Sequence, residues 1–200
     1  MKQTIVALDL EGVLVPEIWI AVAEATGIAQ LRRTTRDEPD FDQLMRGRIA
    51  LLEQHRITMP QITQIIDKLG PLPGAREFLD TVRERVQVII LSDTFEQFAQ
   101  PLMRQLGWPT LFCHRLVVES DRITGYRLRI PEQKKRAVAA LQSLNYRVIA
   151  AGDSFNDTSM LAQASRGVFF RPPPNIIVQF RQFPVVESYA ALAEMLLADA

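Results

Sequence analysis

Apolar residues along this chain gather into short unbroken runs, several of which stop abruptly at acids. The run from Ile5 to Val13 (IVALDLEGV) reads as a central strand covered on both faces, as in parallel sheets, with Asp9 and Glu11 at its end. Val86 to Leu91 repeats the pattern and ends at Ser92-Asp93-Thr94, and Arg147 to Ala151 does so again before Gly152-Asp153-Ser154-Phe155-Asn156-Asp157. Gly167 to Phe170 is a further core strand and Val185-Val186 an edge strand. Leu111 to Cys113 reads as a short strand, and Leu116 to Glu119 with Ile123 to Leu128 as a hairpin turning at Ser120-Asp121.

Between these runs the spacing is helical. Ile18, Trp19, Val22 and Ala23 share one helix face that Gly27 is placed to end. A second helix starts near Asp40 and carries Leu44, Ile49, Leu51 and Leu52; Pro60 starts a third, with Ile62, Ile65, Ile66 and Leu69 ahead of Gly70. Further helices run through Phe78, Leu79 and Val82, over Phe95 to Leu106 with a kink at Pro101, over Lys134 to Leu144, and over Tyr189 to Leu197. Pro172 to Pro174 reads as a rigid loop.

Strand and helix in alternation predict an α/β fold, a doubly wound (Rossmann-like), mainly parallel sheet. Three helices follow the first strand before Pro71-Leu72-Pro73-Gly74 marks the return to the main layer, where an ordinary doubly wound fold has one. Residues 14–72 are therefore expected to form a helical cap, over an α/β core built from residues 1–13 and 73–200. A cap there excludes water and selects substrate.

Composition narrows the function classes. The 200 residues, 48% hydrophobic, suffice for one sizeable core and a modest insertion. Lys plus Arg and Asp plus Glu balance at 23 each, so no overall field favours nucleic acid or an anionic membrane. The single Cys113 rules out an internal disulfide framework, and with only His55 and His114 a histidine-built metal site is not expected. No apolar run reaches membrane-spanning length and the N-terminus enters a strand at once, which points to a cytoplasmic protein. Trp19 and Phe98 are candidates either for a homodimer contact or, as is commoner for such residues, for the core.

Open parallel sheets bind ligands at the carboxyl ends of their strands, which is where these acids fall. An aspartate there can attack phosphorus and hold it as an acyl phosphate, given a divalent cation to offset repulsion and a second acid to move protons. Each piece has a plainer reading: an acidic loop at Asp9, helix N-caps at Ser92, Asp153 and Asp157. A phospho-receiver domain shares the Asp, Ser or Thr and Lys pattern, but has neither the helical insertion nor an acid two residues beyond the acceptor.

Taken together, DLEGV, VIILSDT, the Lys134-Lys135 pair and GDSFND resemble the haloacid dehalogenase-like phosphatase superfamily. The resemblance implies that Asp9 is the nucleophile and a magnesium ligand, that Asp153 and the main-chain carbonyl of Glu11 complete the protein's ligands, and that Asp157 supports that shell. It implies that Ser92 and Lys134 hold the phosphoryl oxygens, with Asp93 beside them as a further substrate-binding residue and Lys134 preferred to Lys135. An insertion straight after the first strand is similar to that of the phosphoserine phosphatase branch. Glu17 would there receive the substrate ammonium, Arg48 its carboxylate and Asn156 its other side, with Arg46 and Arg36 as rivals to Arg48.

Two departures stand out: Glu11 where the branch usually has Asp, and Ser92-Asp93-Thr94 where glycines usually follow the serine. With VPEIWIA and QPLMRQLG, these variants resemble bacterial bifunctional members of the branch, which implies hydrolysis of phosphoserine and phosphoryl transfer to homoserine. A phosphatase of the same fold for another small ester, and a metabolite-binding regulator on a retired phosphatase scaffold, are the competing readings. The regulator predicts a missing nucleophile or metal acid, and none is missing.

Overall fold

The computed structural model describes residues 2–34, 37–38 and 40–198. Its centre is β1 (Thr4–Leu8), whose alternation of side chains between two buried faces divides the core in two. Val6 and Leu8 belong to one apolar cluster, Ile5 and Ala7 to the other. The chain runs on through α1 (Ile18–Thr26), a 3-10 turn (Ala29–Arg32), α2 (Phe41–Gln54), α3 (Met59–Ile66), α4 (Ala75–Arg83), β2 (Gln87–Phe95) and α5 (Glu96–Gln105). It continues with β3 (Thr110–Glu119), β4 (Arg122–Arg127), α6 (Gln133–Ser143), β5 (Arg147–Gly152), a 3-10 turn (Phe155–Asp157), α7 (Thr158–Gln163), β6 (Arg166–Phe170), α8 (Pro174–Gln179), β7 (Val185–Val186) and α9 (Tyr189–Leu197).

The strands form one seven-stranded sheet in the order β4-β3-β2-β1-β5-β6-β7, parallel except for the β3–β4 hairpin. Helices cover both faces: Phe78 of α4, Phe98 of α5 and Leu192 of α9 pack with Val6 and Leu8, while Val138 of α6, Met160 of α7 and Ile176 of α8 pack with Ile5 and Ala7. This is the doubly wound α/β arrangement that the alternating pattern predicts. Among the described residues no helix is long and apolar enough to cross a membrane.

The helices between β1 and β2 join the same core rather than forming their own. Trp19 and Val22 of α1, Met45 and Leu52 of α2, and Ile62 and Ile66 of α3 lie in one cluster with Val6 and Leu8. Asp40 caps α2 by accepting from Asp42 N (2.9 Å) and Gln43 N (3.1 Å), and Thr58 with Gln61 caps α3. The two ends of the insertion are tied where Leu72 N donates to Leu14 O at 2.9 Å. Trp19 (7% exposed) and Phe98 (0%) meet edge to face in this core, so neither offers the dimer contact considered for them.

Several boundaries differ from the sequence reading. β1 stops at Leu8, because Leu10 to Val15 fold into tight turns in which Leu14 N and Val15 N both donate to Leu10 O. α3 stops at Ile66, short of Gly70. β3 is one strand, not two, since it pairs with β2 through Phe112 and at His114, and with β4 from Arg115 onward. Pro174 opens α8 instead of ending a rigid loop, in the first turn where its missing N–H costs nothing. β2 runs on through Ser92-Asp93-Thr94, but its register with β3 shifts between Leu91 and Phe95. Such an irregularity turns side chains out of the ladder, here at the residues singled out for chemistry.

Candidate active site

The carboxyl ends of β1, β2 and β5 lie side by side at the middle of the sheet, and three buried carboxylates meet there. Asp9, Asp153 and Asp157 each offer an oxygen within 4.8 Å of the others. Two glycines allow the approach. A Cβ on Gly12, whose φ is +78°, would lie 2.4 Å from Asp153 Oδ2, and one on Gly152 would lie 2.3 Å from Asp157 Cγ. Asp157 Oδ2 is fixed by the backbone N–H groups of Asp153 (3.0 Å) and Ser154 (3.1 Å), so its other oxygen faces the cluster.

Among the described residues, Lys134 is the cation set against Asp9 and Asp157. Lys134 Nζ, only 3% exposed, lies 2.7 Å from Asp157 Oδ1, 2.9 Å from Asp9 Oδ1 and 3.7 Å from Asp93 Oδ2. Desolvation opposes its charge, but Asp157, Asp9 and Asp93 outweigh that and push its pKa well above the ordinary lysine value. Lys135 points away, half-exposed and 4.0 Å from Glu132, which decides between the two lysines. Burial first, then Asp157, drive the Asp9 carboxyl well above its usual range, against the pull of Lys134. A lone ammonium therefore leaves the site short of positive charge. All-oxygen donors in such an anionic pocket suit a hard divalent cation such as magnesium.

Glu11 turns from this cluster toward the insertion. Its Oε2 accepts the Ile18 N–H at 2.9 Å, and its carboxyl is hydrogen-bonded to Thr94 and Glu17. Burial, and next repulsion from Glu17, raise its pKa to about 8, so it carries a proton at neutral pH. Arg48, 8% exposed, stacks over the Trp19 ring at 4.6 Å and donates from Nη2 to Arg33 O at 2.7 Å. Its Nε is buried without a hydrogen-bond partner among the described residues. Its rival Arg46 is exposed and paired with Asp42 at 2.6 Å, away from the site; Arg36 lies outside the described residues.

These groups line one cavity of about 300 Å³: Asp9, Glu11, Ser92, Asp93, Lys134, Asp153 and Asn156 on the sheet side, Glu17 and Arg48 on the insertion side. Asp157 stands just behind them, fully buried. Asp9, Glu11, Glu17, Arg48, Ser92, Asp93, Lys134, Asp153, Asn156 and Asp157 are thus brought to one place, while the rivals Lys135 and Arg46 are not. Three neighbours were not foreseen: Thr94, bonded to Glu11; Gln133, whose Nε2 donates to Ser92 O; and His114, beside Asp93. Thr94 sits in the singled-out SDT segment, but nothing in local sequence marked Gln133 or the pairing of His114.

Comparison with known proteins agrees with this geometry. The sequence model of the haloacid dehalogenase-like hydrolases matches residues 4–165. Phosphoserine phosphatase ThrH of Pseudomonas aeruginosa is 57% identical over 189 residues, covering 94% of this chain and 92% of that protein. A phosphoserine phosphatase of Pseudomonas syringae pv. tomato is also 57% identical, over 94% of this chain and 80% of its own length. Among solved structures, a substrate-bound phosphoserine phosphatase complex superposes with a TM-score of 0.80 at 20% identity, over 98% of both chains, a likeness of fold.

Proposed function

This chain belongs to the haloacid dehalogenase-like hydrolase family, and from that premise we propose that it is a cytoplasmic, magnesium-dependent phosphoserine phosphatase that also passes the phosphoryl group to homoserine. The observation that carries the reading is the two-ended cavity. One end gathers Asp9, Lys134 and Asp153 for a phosphoryl group, and the other is lined by Glu17 and Arg48, whose charges suit an amino acid's ammonium and carboxylate. The close Pseudomonas relatives are named phosphoserine phosphatases, which supports the same substrate.

In this reading Asp9, Asp153 and the Glu11 carbonyl would hold magnesium, with Asp157 steadying them. The ion would supply positive charge that keeps Asp9 ionised and offsets the phosphate dianion. An Asp9 oxygen attacks phosphorus while Ser92 and Lys134 hold the phosphoryl oxygens. The bond from phosphorus to the serine oxygen breaks, and Glu11 gives that oxygen its proton, releasing serine. Glu11, now ionised, takes a proton from water as the water attacks the aspartyl phosphate, freeing phosphate and Asp9. If the homoserine hydroxyl enters in place of water, the product is phosphohomoserine.

The test is phosphate release from L-phosphoserine with magnesium, with and without homoserine, in the parent and in Asp9→Asn. Turnover in the parent, phosphohomoserine when the acceptor is present, and neither product from Asp9→Asn are expected. A turning-over Asp9→Asn enzyme rules out the nucleophile. A panel of other small phosphate esters separates this reading from a phosphatase of broader or different specificity, since only an amino-acid substrate engages both Glu17 and Arg48.

A further inference from the structure

One partly exposed carboxylate beside the cavity has no step in this reaction. Asp93 lies in the irregular end of β2, between the reaction cavity and a larger, apolar-walled cavity of about 590 Å³ that it also lines. Its Oδ1 faces His114 Nε2 (3.5 Å) and Gln133 Nε2 (3.3 Å), and its Oδ2 faces Asn156 Nδ2 (3.2 Å) and Lys134 Nζ (3.7 Å). Desolvation pushes this carboxyl up, but Lys134 and the bonds from His114 and Asn156 overcome it and leave it well below the usual range. Asp93 is a fixed anion.

His114 is equally constrained. It is 5% exposed, with Phe41 at 6.1 Å and Phe95 at 6.4 Å from its ring. The Arg129 N–H donates to its Nδ1 at 3.2 Å, which leaves the ring proton on Nε2, aimed at Asp93. A partly exposed charge with this many partners is poor evidence for stability, because such ion pairs contribute little to it. What distinguishes Asp93 is what it holds: Lys134 and Asn156 both face the reaction cavity.

We propose that Asp93 and His114 are a positioning pair, His114 fixing Asp93 and Asp93 fixing the Lys134 ammonium and the Asn156 amide where phosphoserine meets them. The inference rests on the functional reading above. In Asp93→Asn one side of the new group must present N–H to donors, so Lys134 and Asn156 lose their common anchor. His114→Phe keeps the aromatic packing but removes the donor, whereas His114→Gln keeps an N–H near the position of Nε2.

The experiment is steady-state kinetics on L-phosphoserine with magnesium, normalised to folded protein by near-ultraviolet circular dichroism. Asp93→Asn and His114→Phe should lower kcat about 10–100-fold, the usual loss when the partner orienting a catalytic ligand is removed, while KM moves far less. His114→Gln should recover most of the His114→Phe loss, and the double variant should be no worse than the poorer single, as for residues acting through one another. A kcat within about twofold of the parent in Asp93→Asn, or losses that multiply in the double variant, overturns the pair. If His114→Phe does not fold, Asp93→Asn beside Asp93→Glu decides the matter by the same kcat criterion. A parent inactive on phosphoserine overturns the functional reading and the pair with it; an active parent with unimpaired variants overturns the pair alone.

Discussion

Glu11 illustrates how much one residue's surroundings decide. Two positions after Asp9, it is legible in the sequence as an acid, but its protonation follows from what folding puts around it. Burial comes first, and Glu17, six positions on, adds repulsion, so the acid form persists up to a pKa of about 8. If Glu11 protonates the leaving group, kcat/KM for phosphoserine is level on the acid side of that pKa and falls as pH rises through it. Glu17→Gln removes the repulsion, so the alkaline limb should move to lower pH even as substrate binding weakens. A pH–rate profile with an unmoved limb would mean that Glu17 does not govern this proton. Gly12 is the complementary case, visible in the sequence only as a turn. Gly12→Ala forces a Cβ into the Asp153 carboxylate and a side chain into the left-handed region, at a cost of roughly 1–2 kcal/mol for the backbone alone. The magnesium-induced rise in melting temperature expected of the parent should shrink or vanish in this variant, as read by calorimetry.

At the level of elements, the sequence was most informative where one strand end carried its own chemistry. The acids after β1 and β5 and the serine in β2 are local features, legible because apolar runs stop at them. His114 and Gln133 belong to β3 and α6 and meet Asp93 only across the sheet, and no periodicity within either element announces that meeting. β3 reads as two strands in the sequence for a related reason. Its partner changes from β2 to β4 near His114, so its burial pattern changes within one strand. α9 was legible as an amphipathic helix, yet its tie to the site was not. Tyr189 stacks between Phe78 (4.9 Å) and Phe170 (4.7 Å), and its hydroxyl donates to Val13 O at 2.6 Å, bracing the turn that follows Asp9. Burial pushes this phenol up to about 12, against the nearby Arg171. The folded state thus holds the proton more tightly than the unfolded chain, so the stabilisation is whole below the ordinary tyrosine pKa of roughly 10 and fades as pH climbs through 12. Tyr189→Phe should cost about 1 kcal/mol at neutral pH and lose that part of the alkaline decline, while Tyr126, raised equally, remains in both proteins. Urea denaturation of both proteins across the alkaline range measures it.

On the scale of the whole molecule, the insertion and the sheet share one apolar cluster, a feature that the order of elements could not disclose. Swinging the insertion away as a body would expose Trp19, Phe98 and their neighbours to water, at about 25 cal/mol per Å² of apolar surface. Substrate is therefore best admitted by small shifts around Trp19 and Arg48, which stand where the insertion meets the site. A phosphoserine carboxylate that engages the unpaired Nε of Arg48 has to draw the guanidinium from its place 4.6 Å above the Trp19 ring. Of the two tryptophans, Trp108 is exposed and can be replaced by phenylalanine, leaving Trp19 as the probe. In Asp9→Asn with Trp108→Phe and magnesium, phosphoserine should change the Trp19 emission. Phosphoethanolamine, which has the ammonium but no carboxylate, should leave it nearly unchanged. Equal responses to the two ligands would detach Arg48 from substrate recognition. A Trp19 signal that unfolds in urea ahead of the far-ultraviolet circular dichroism would show that the insertion melts apart from the sheet, against the shared core.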